Sequence, residues 1–185
     1  MEFLDARKYK KEIKKLYAEA FPKIERAPLR ILYKKSGNEN QWFYAVFDDG
    51  VFTGLLYGIR EESLVYLFYL AVVTEKRKQG YGGRILKEVE RMFPDCTITL
   101  AIEDTEKTDA ENYQQRITRL HFYEGNGYKK TGIKINEAGV DFELLGTNSN
   151  VTKMQFHNMM RKYFGPFRFW MVYRKDTVEK CKANV

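Results

Sequence analysis

Leu64-Val65-Tyr66-Leu67-Phe68-Tyr69-Leu70-Ala71-Val72-Val73 runs without a charge into Thr74-Glu75-Lys76-Arg77-Lys78-Gln79-Gly80-Tyr81-Gly82-Gly83. Beyond these glycines, Ile85, Leu86, Val89, Met92 and Phe93 recur at helical spacing. The uncharged run, rich in aromatic and β-branched residues, predicts a strand covered on both faces of a sheet. The segment after it predicts an amphipathic helix, with Arg84, Lys87, Glu88, Glu90 and Arg91 on its polar side. Glycines between a strand end and a helix start let backbone N–H groups converge on an anion, and the helix dipole adds positive charge there. A phosphate-bearing ligand is therefore expected at this turn. The plainer alternative is a tight strand-to-helix turn with solvated lysines.

Upstream, Trp42–Phe47 and Val51–Gly58 predict two aromatic strands, and Asp48-Asp49-Gly50 is a hairpin signal between them. Arg7–Phe21 predicts an amphipathic helix ended by Pro22. The connector 22–28 holds two prolines, and Leu29–Lys35 reads as a short helix or an irregular segment. Downstream come a strand over Thr97–Ile102 ending at Glu103-Asp104, a polar loop to Glu111, and a helix over Asn112–Glu124. Gly125-Asn126-Gly127 offers the left-handed residues of a C-cap. Tyr128–Ile135 and Val140–Leu145 predict a strand pair around Asn136–Gly139. A helix is expected over Asn150–Tyr163, a last strand over Phe167–Tyr173, and a loose final dozen residues. The order predicts a mixed α/β chain with locally parallel pairing in an otherwise antiparallel sheet. One domain is expected, with a core over about 1–146 and a helix-strand extension over 147–185.

The composition, 44% hydrophobic and 31% charged, is that of a globular protein rather than a disordered one. No apolar run reaches the roughly eighteen residues of a membrane span. Met1-Glu2-Phe3-Leu4-Asp5 carries acids where a signal peptide needs bases, so a cytoplasmic protein is expected. Cys96 and Cys181 lack metal-ligand spacing and are expected as thiols; His121 and His157 are too few for a zinc site, so no metal is expected. The net charge of +7 fits a polyanionic partner, nucleic acid or an anionic cofactor. The chain carries no nucleic-acid recognition motif, and no Gly-Lys-[Ser/Thr] follows the glycines as in a P-loop.

Two motifs carry a resemblance. Arg77-Lys78-Gln79-Gly80-Tyr81-Gly82 fits R-x-x-G-x-G, and beyond the next strand stands Phe122-Tyr123-Glu124-Gly125-Asn126-Gly127-Tyr128. Together they resemble the coenzyme-binding motif A and the motif B ending of the GNAT superfamily of acetyl-CoA-dependent N-acetyltransferases. Ala20-Phe21-Pro22, Glu25-Arg26 and Pro28 are similar to the start of some bacterial members. The resemblance covers about Leu16–Leu145. It implies a GNAT-like, mostly antiparallel sheet flanked by helices, with a split between two central parallel strands. It departs at Arg116, where many members have Asn, and at Thr74, where the usual residue is Pro.

The resemblance also implies roles. The backbone of Gln79, Gly80, Tyr81, Gly82 and Gly83 would cradle the coenzyme pyrophosphate, with Arg77, Lys78 and Arg84 adding charge. Leu70, Ala71 and Val72 would pair with the pantetheine arm, an N–H near Val72 polarising the thioester carbonyl. Asn112 stands in for the missing motif Asn as a coenzyme contact. Tyr123 is the expected acid for the departing thiolate, and Glu103 the first candidate base, ahead of Glu25 and Glu61. His121 and His157 are expected to pack or lie on the surface. The expected partners are acetyl-CoA and an amine acceptor, with no nucleic acid and no membrane, in a monomer or homodimer. A module that binds acyl-CoA without efficient catalysis is the alternative.

Overall fold

The computed structural model describes residues 1–23 and 25–182, with side chains as far as Asp176; Cys181 and Ile24 lie outside what it describes of side chains. The chain forms two compact units, Met1–Cys96 and Thr97–Val185.

The first unit holds strands β1 (Glu2–Asp5), β2 (Gln41–Asp48), β3 (Val51–Glu61) and β4 (Leu64–Val72), and helices α1 (Lys10–Ala20), α2 (Leu29–Lys35) and α3 (Tyr81–Met92). The strands pair in the order β1-β2-β3-β4, every pair antiparallel. β1, four residues long, is absent from the sequence expectation. Asp49 (φ 51°) and Gly50 (φ 72°) make the β2–β3 turn left-handed at both central positions, the twist that matches a hairpin. Leu29–Lys35 is a helix. α1 buries Ile13, Leu16 and Tyr17, and α3 buries Ile85, Leu86 and Val89. Two strand glycines are needed for contact. A Cβ on Gly58 would stand 2.0 Å from the Trp42 ring, and one on Gly54 would stand 2.5 Å from the Ala71 carbonyl oxygen.

The sequence predicts β4 covered on both faces, but the strand is only partly so. The β3–β4 register steps from Tyr57↔Tyr69 to Gly58↔Leu67, so Phe68 is an extra residue. Such a bulge bends and twists its strand. Leu64–Leu67 are all buried, whereas beyond the bulge buried Tyr69 and Ala71 alternate with half-buried Phe68, Leu70 and Val72. Tyr69 also holds the connector between α1 and α2. Its hydroxyl donates to the Glu25 carbonyl (2.8 Å) and accepts from the Ala27 N–H (3.1 Å), while Tyr17 donates to the Ala27 carbonyl (3.2 Å).

The second unit holds β5 (Thr97–Glu103), α4 (Tyr113–Gly125), β6 (Lys129–Glu137), β7 (Val140–Gly146), α5 (Lys153–Phe164) and α6 (Pro166–Lys182). Its strands pair β5-β7-β6, both pairs antiparallel, with Ala138 and Gly139 left-handed in the β6–β7 turn. Gly127, just past α4, has φ 89°. Thr152 and Gln155 close a capping box on α5.

The last strand expected over Phe167–Tyr173 is instead the start of α6, which runs to Lys182 across a kink at Tyr173 (φ −108°, ψ 22°), where a loose tail was expected. The aromatic content of this stretch looks like a strand. Burial of Phe169 and Tyr173, four apart, follows the helical period instead, and Pro166 sits at the first helical position, where its missing N–H costs nothing. α6 docks on β6. The Ala138 N–H reaches the Val172 carbonyl (2.8 Å), and the Tyr173 hydroxyl donates to Glu137 (3.0 Å). Buried Asp176 accepts from the Asn136 N–H (2.9 Å), lies 3.2 Å from His157 Nε2 and pairs with Lys153 (3.4 Å). His157 is thus buried, whereas His121 is exposed.

Candidate active site

In the first unit, β4 runs through a short 3-10 turn (Thr74–Lys76) into an exposed loop, Arg77–Gly80. Lys78 (φ 59°) and Gly80 (φ 82°) are both left-handed, a conformation that costs a side-chain-bearing residue about 1 kcal/mol or more. Gly80 opens onto free space and is the N-cap of α3. Gly82 and Gly83, expected in the loop, lie in the first helical turn. The first i→i−4 bond of α3 is Arg84 N–H to the Gly80 carbonyl (3.1 Å). The N–H groups of Tyr81, Gly82 and Gly83 therefore precede the intrahelical ladder, and no side chain among the described residues caps them.

The side chains around this turn divide into those that brace it and those that stay open. Arg77 Nε donates to the Val72 carbonyl (3.0 Å), and the Gln79 amide to the Glu75 carbonyl (2.7 Å). Arg84 forms a two-pronged pair with Asp48, both bonds 2.8 Å. Its charge is largely spent there: the hydrogen bonds from Arg84 hold the Asp48 carboxyl below its ordinary range against the opposing effect of desolvation. Lys78 takes part in no ion pair among the described residues and is exposed.

In the second unit, the end of β5 and the start of α4 gather four of the polar residues. Glu103 is buried (8% exposed). Asn112 Nδ2 donates to both of its carboxylate oxygens (3.0 and 3.1 Å). Arg116 lies 3.0 Å from Oε1 and Arg119 3.3 Å from Oε2. Arg116 Nε also donates to Asn112 Oδ1 (2.7 Å), and Nη1 to the Asp104 carbonyl (2.9 Å). Asn112 thus spends its whole amide inside this network. Arg116, noted in the sequence only as a departure from a motif, is its hub. The spacing Arg116, Arg119, Tyr123 along one helix was the only signal available for it.

Tyr123 follows Arg119 by one turn of α4 and is partly buried. Burial pushes its phenol up to about 12, and the positive charge of Arg119 opposes that shift. The phenol is therefore fully protonated at neutral pH.

A bulged strand, left-handed residues opening a helix and a tyrosine near the end of a later helix all lie within the stretch that one family's model matches. Its acetyltransferase (GNAT) domain matches residues 9–143. The chain belongs to the GNAT family. As an acetyltransferase of that family it is an acyl-transfer enzyme, and its mixed α/β fold is that of solved GNAT structures. One is a putative GNAT-family acetyltransferase from Bacteroides thetaiotaomicron, 18% identical, at a TM-score of 0.68 over 91% of this chain and 98% of that one. A second is an aminoglycoside 6'-N-acetyltransferase complexed with coenzyme A, 17% identical, at 0.62 over 82% and 99%. A third is an Arabidopsis thaliana protein in complex with the bisubstrate analogue CoA-Ac-MVNAL, 20% identical, at 0.59 over 80% and 97%. No curated protein matches the GNAT chain by sequence.

Proposed function

We propose that the protein transfers the acetyl group of acetyl-CoA to a primary amine by direct attack in a ternary complex, within one acetyltransferase domain that carries residues 147–185 as an extension. The observation that carries this reading is the left-handed Lys78–Gly80 loop, which opens α3 with three uncapped N–H groups beside exposed cations. The backbone of Gln79, Gly80, Tyr81, Gly82 and Gly83 holds the pyrophosphate, with Arg77 and Lys78 beside it. Leu70, Ala71 and Val72, past the bulge of β4, offer backbone to the pantetheine arm. An N–H near Val72 polarises the thioester carbonyl.

The amine nitrogen attacks the thioester carbon, the C–S bond breaks, and the electron pair leaves on sulfur. Full proton transfer from a phenol at about 12 to a thiolate whose acid sits near 8.5 is uphill by about 5 kcal/mol. Tyr123 therefore serves as a hydrogen-bond donor to the departing sulfur, which takes its proton later. The amine must shed a proton as well. A lysine-like amine is free base about once in 2,500 molecules at pH 7, an α-amine about once in seven. With both oxygens of Glu103 committed to Asn112, Arg116 and Arg119, we assign Glu103 the positioning of α4, and water the removal of the proton.

Titration calorimetry of a Gly82→Trp variant tests the cradle. Acetyl-CoA affinity should fall by about 100-fold, roughly 3 kcal/mol, with melting unchanged, and an unaltered affinity overturns the assignment. Thiol release with an amine panel then separates an enzyme from a coenzyme-binding module, which binds without turnover.

A further inference from the structure

The helical pair α5–α6 lies beyond the residues matched by the family, 9–143. One face of α6 is spoken for: Phe169, Tyr173 and Asp176 are buried. On the opposite face, Phe167 (72% exposed), Trp170 (55%) and Met171 (55%) stand at i, i+3 and i+4, a single ridge of large apolar side chains in solvent. Exposed Arg168, Arg174 and Lys175 share or flank that ridge. The stretch 153–176 carries six lysines and arginines against one acid, Asp176, which pairs with Lys153.

We propose that this ridge docks the protein on an anionic lipid surface. A Phe, a Trp and a Met ridged along the first turns of a helix, with cations beside them and just past its kink, is the composition that settles at the headgroup boundary, the apolar side chains entering the interface and the cations meeting lipid phosphates. A second copy of the chain fits less well. A two-fold contact lays the patch on itself and brings Arg168, Arg174 and Lys175 against like charges. The sequence expectation of no membrane partner rested on the lack of a spanning segment, and no described helix is long and apolar enough to cross a membrane. A helix lying on the surface needs no span.

The protein carries its own reporter, since Trp42 is buried (5% exposed) and Trp170 is not. The full chain is mixed with unilamellar vesicles of phosphatidylcholine alone or with an equal part of phosphatidylglycerol. Binding is followed by co-sedimentation and tryptophan emission. The expected result is a blue shift and sedimentation with the anionic vesicles only, reversed by high salt. A Phe167→Ser, Met171→Ser double variant should lose about 10-fold or more in vesicle affinity while circular dichroism and acetyl-CoA binding stay as in the wild type. No sedimentation with anionic vesicles overturns the proposal, as does sedimentation that the double variant leaves unchanged. An equal emission shift with a single-stranded oligonucleotide overturns it in favour of nucleic acid. Dimerisation by ultracentrifugation that the double variant abolishes overturns it in favour of a second copy.

Discussion

The loop ahead of α3 and the seal around Glu103 are both rich in cationic side chains, and they use them in opposite ways. Around Glu103, two guanidiniums and an amide close on one buried carboxylate. In the loop, Lys78 faces solvent without an ion pair among the described residues, and the backbone N–H groups at the start of α3 stand ahead of any helical acceptor. A cation with a buried partner is part of the scaffold. One left unpaired beside uncapped N–H groups can still meet a ligand. Arg84 shows how finely this divides: it sits in the first turn of α3, close behind the loop, yet its bonds to Asp48 place it with the scaffold.

The largest effect should come from breaking the seal. Glu103→Gln leaves Arg116, only 12% exposed, without its counter-charge, and thermal unfolding should show a loss of about 3 kcal/mol. If the variant instead melts normally and loses turnover alone, Glu103 is the base and the contrast between the two regions fails. A second buried carboxylate extends the comparison. Burial alone would raise the Asp176 carboxyl, but hydrogen bonds from His157 and the Asn136 N–H, with the charge of Lys153, hold it below its ordinary 3.8. A depressed carboxylate contributes stability above its unfolded pKa and loses it as pH falls through the folded value. The docking of α6 should therefore weaken below about pH 4. Asp176→Asn should cost about 2 kcal/mol at neutral pH and flatten that acid limb in a melting series. The smallest effect is at Tyr123. Tyr123→Phe should lower kcat about 10-fold by an equal ratio at every pH from 6 to 10, because a phenol at about 12 does not titrate there. A ratio that changes across that range marks a titrating acid and undoes the hydrogen-bond role.

Much of the loop was legible because its signals are local: an uncharged strand, glycines at the turn, and an apolar stripe on the helix after it. The bulge at Phe68 was not, since a register step depends on β3 as much as on β4. The seal around Glu103 joins residues 9, 13 and 16 positions apart, and nothing in their spacing says that Asn112 turns towards the carboxylate rather than outward. Phe167–Tyr173 misled for a related reason. Its composition favours a strand, but Gly165 (φ 78°) and Pro166 restart a helix, and packing of Phe169 and Tyr173 outweighs intrinsic preference. β1 is too short to show a period, and its order comes from pairing with β2.

The Tyr69 hydroxyl joins the Glu25 carbonyl and the Ala27 N–H, on either side of Arg26, to the middle of β4. The connector has neither helix nor strand at that point, yet its backbone is bonded to a strand side chain. Hydrogen exchange at the Ala27 amide should therefore track the opening of β4 instead of the fast fraying of a surface loop. In folding terms, a proline-flanked link between two helices belongs to the cooperative unit of the sheet, and the two come apart together.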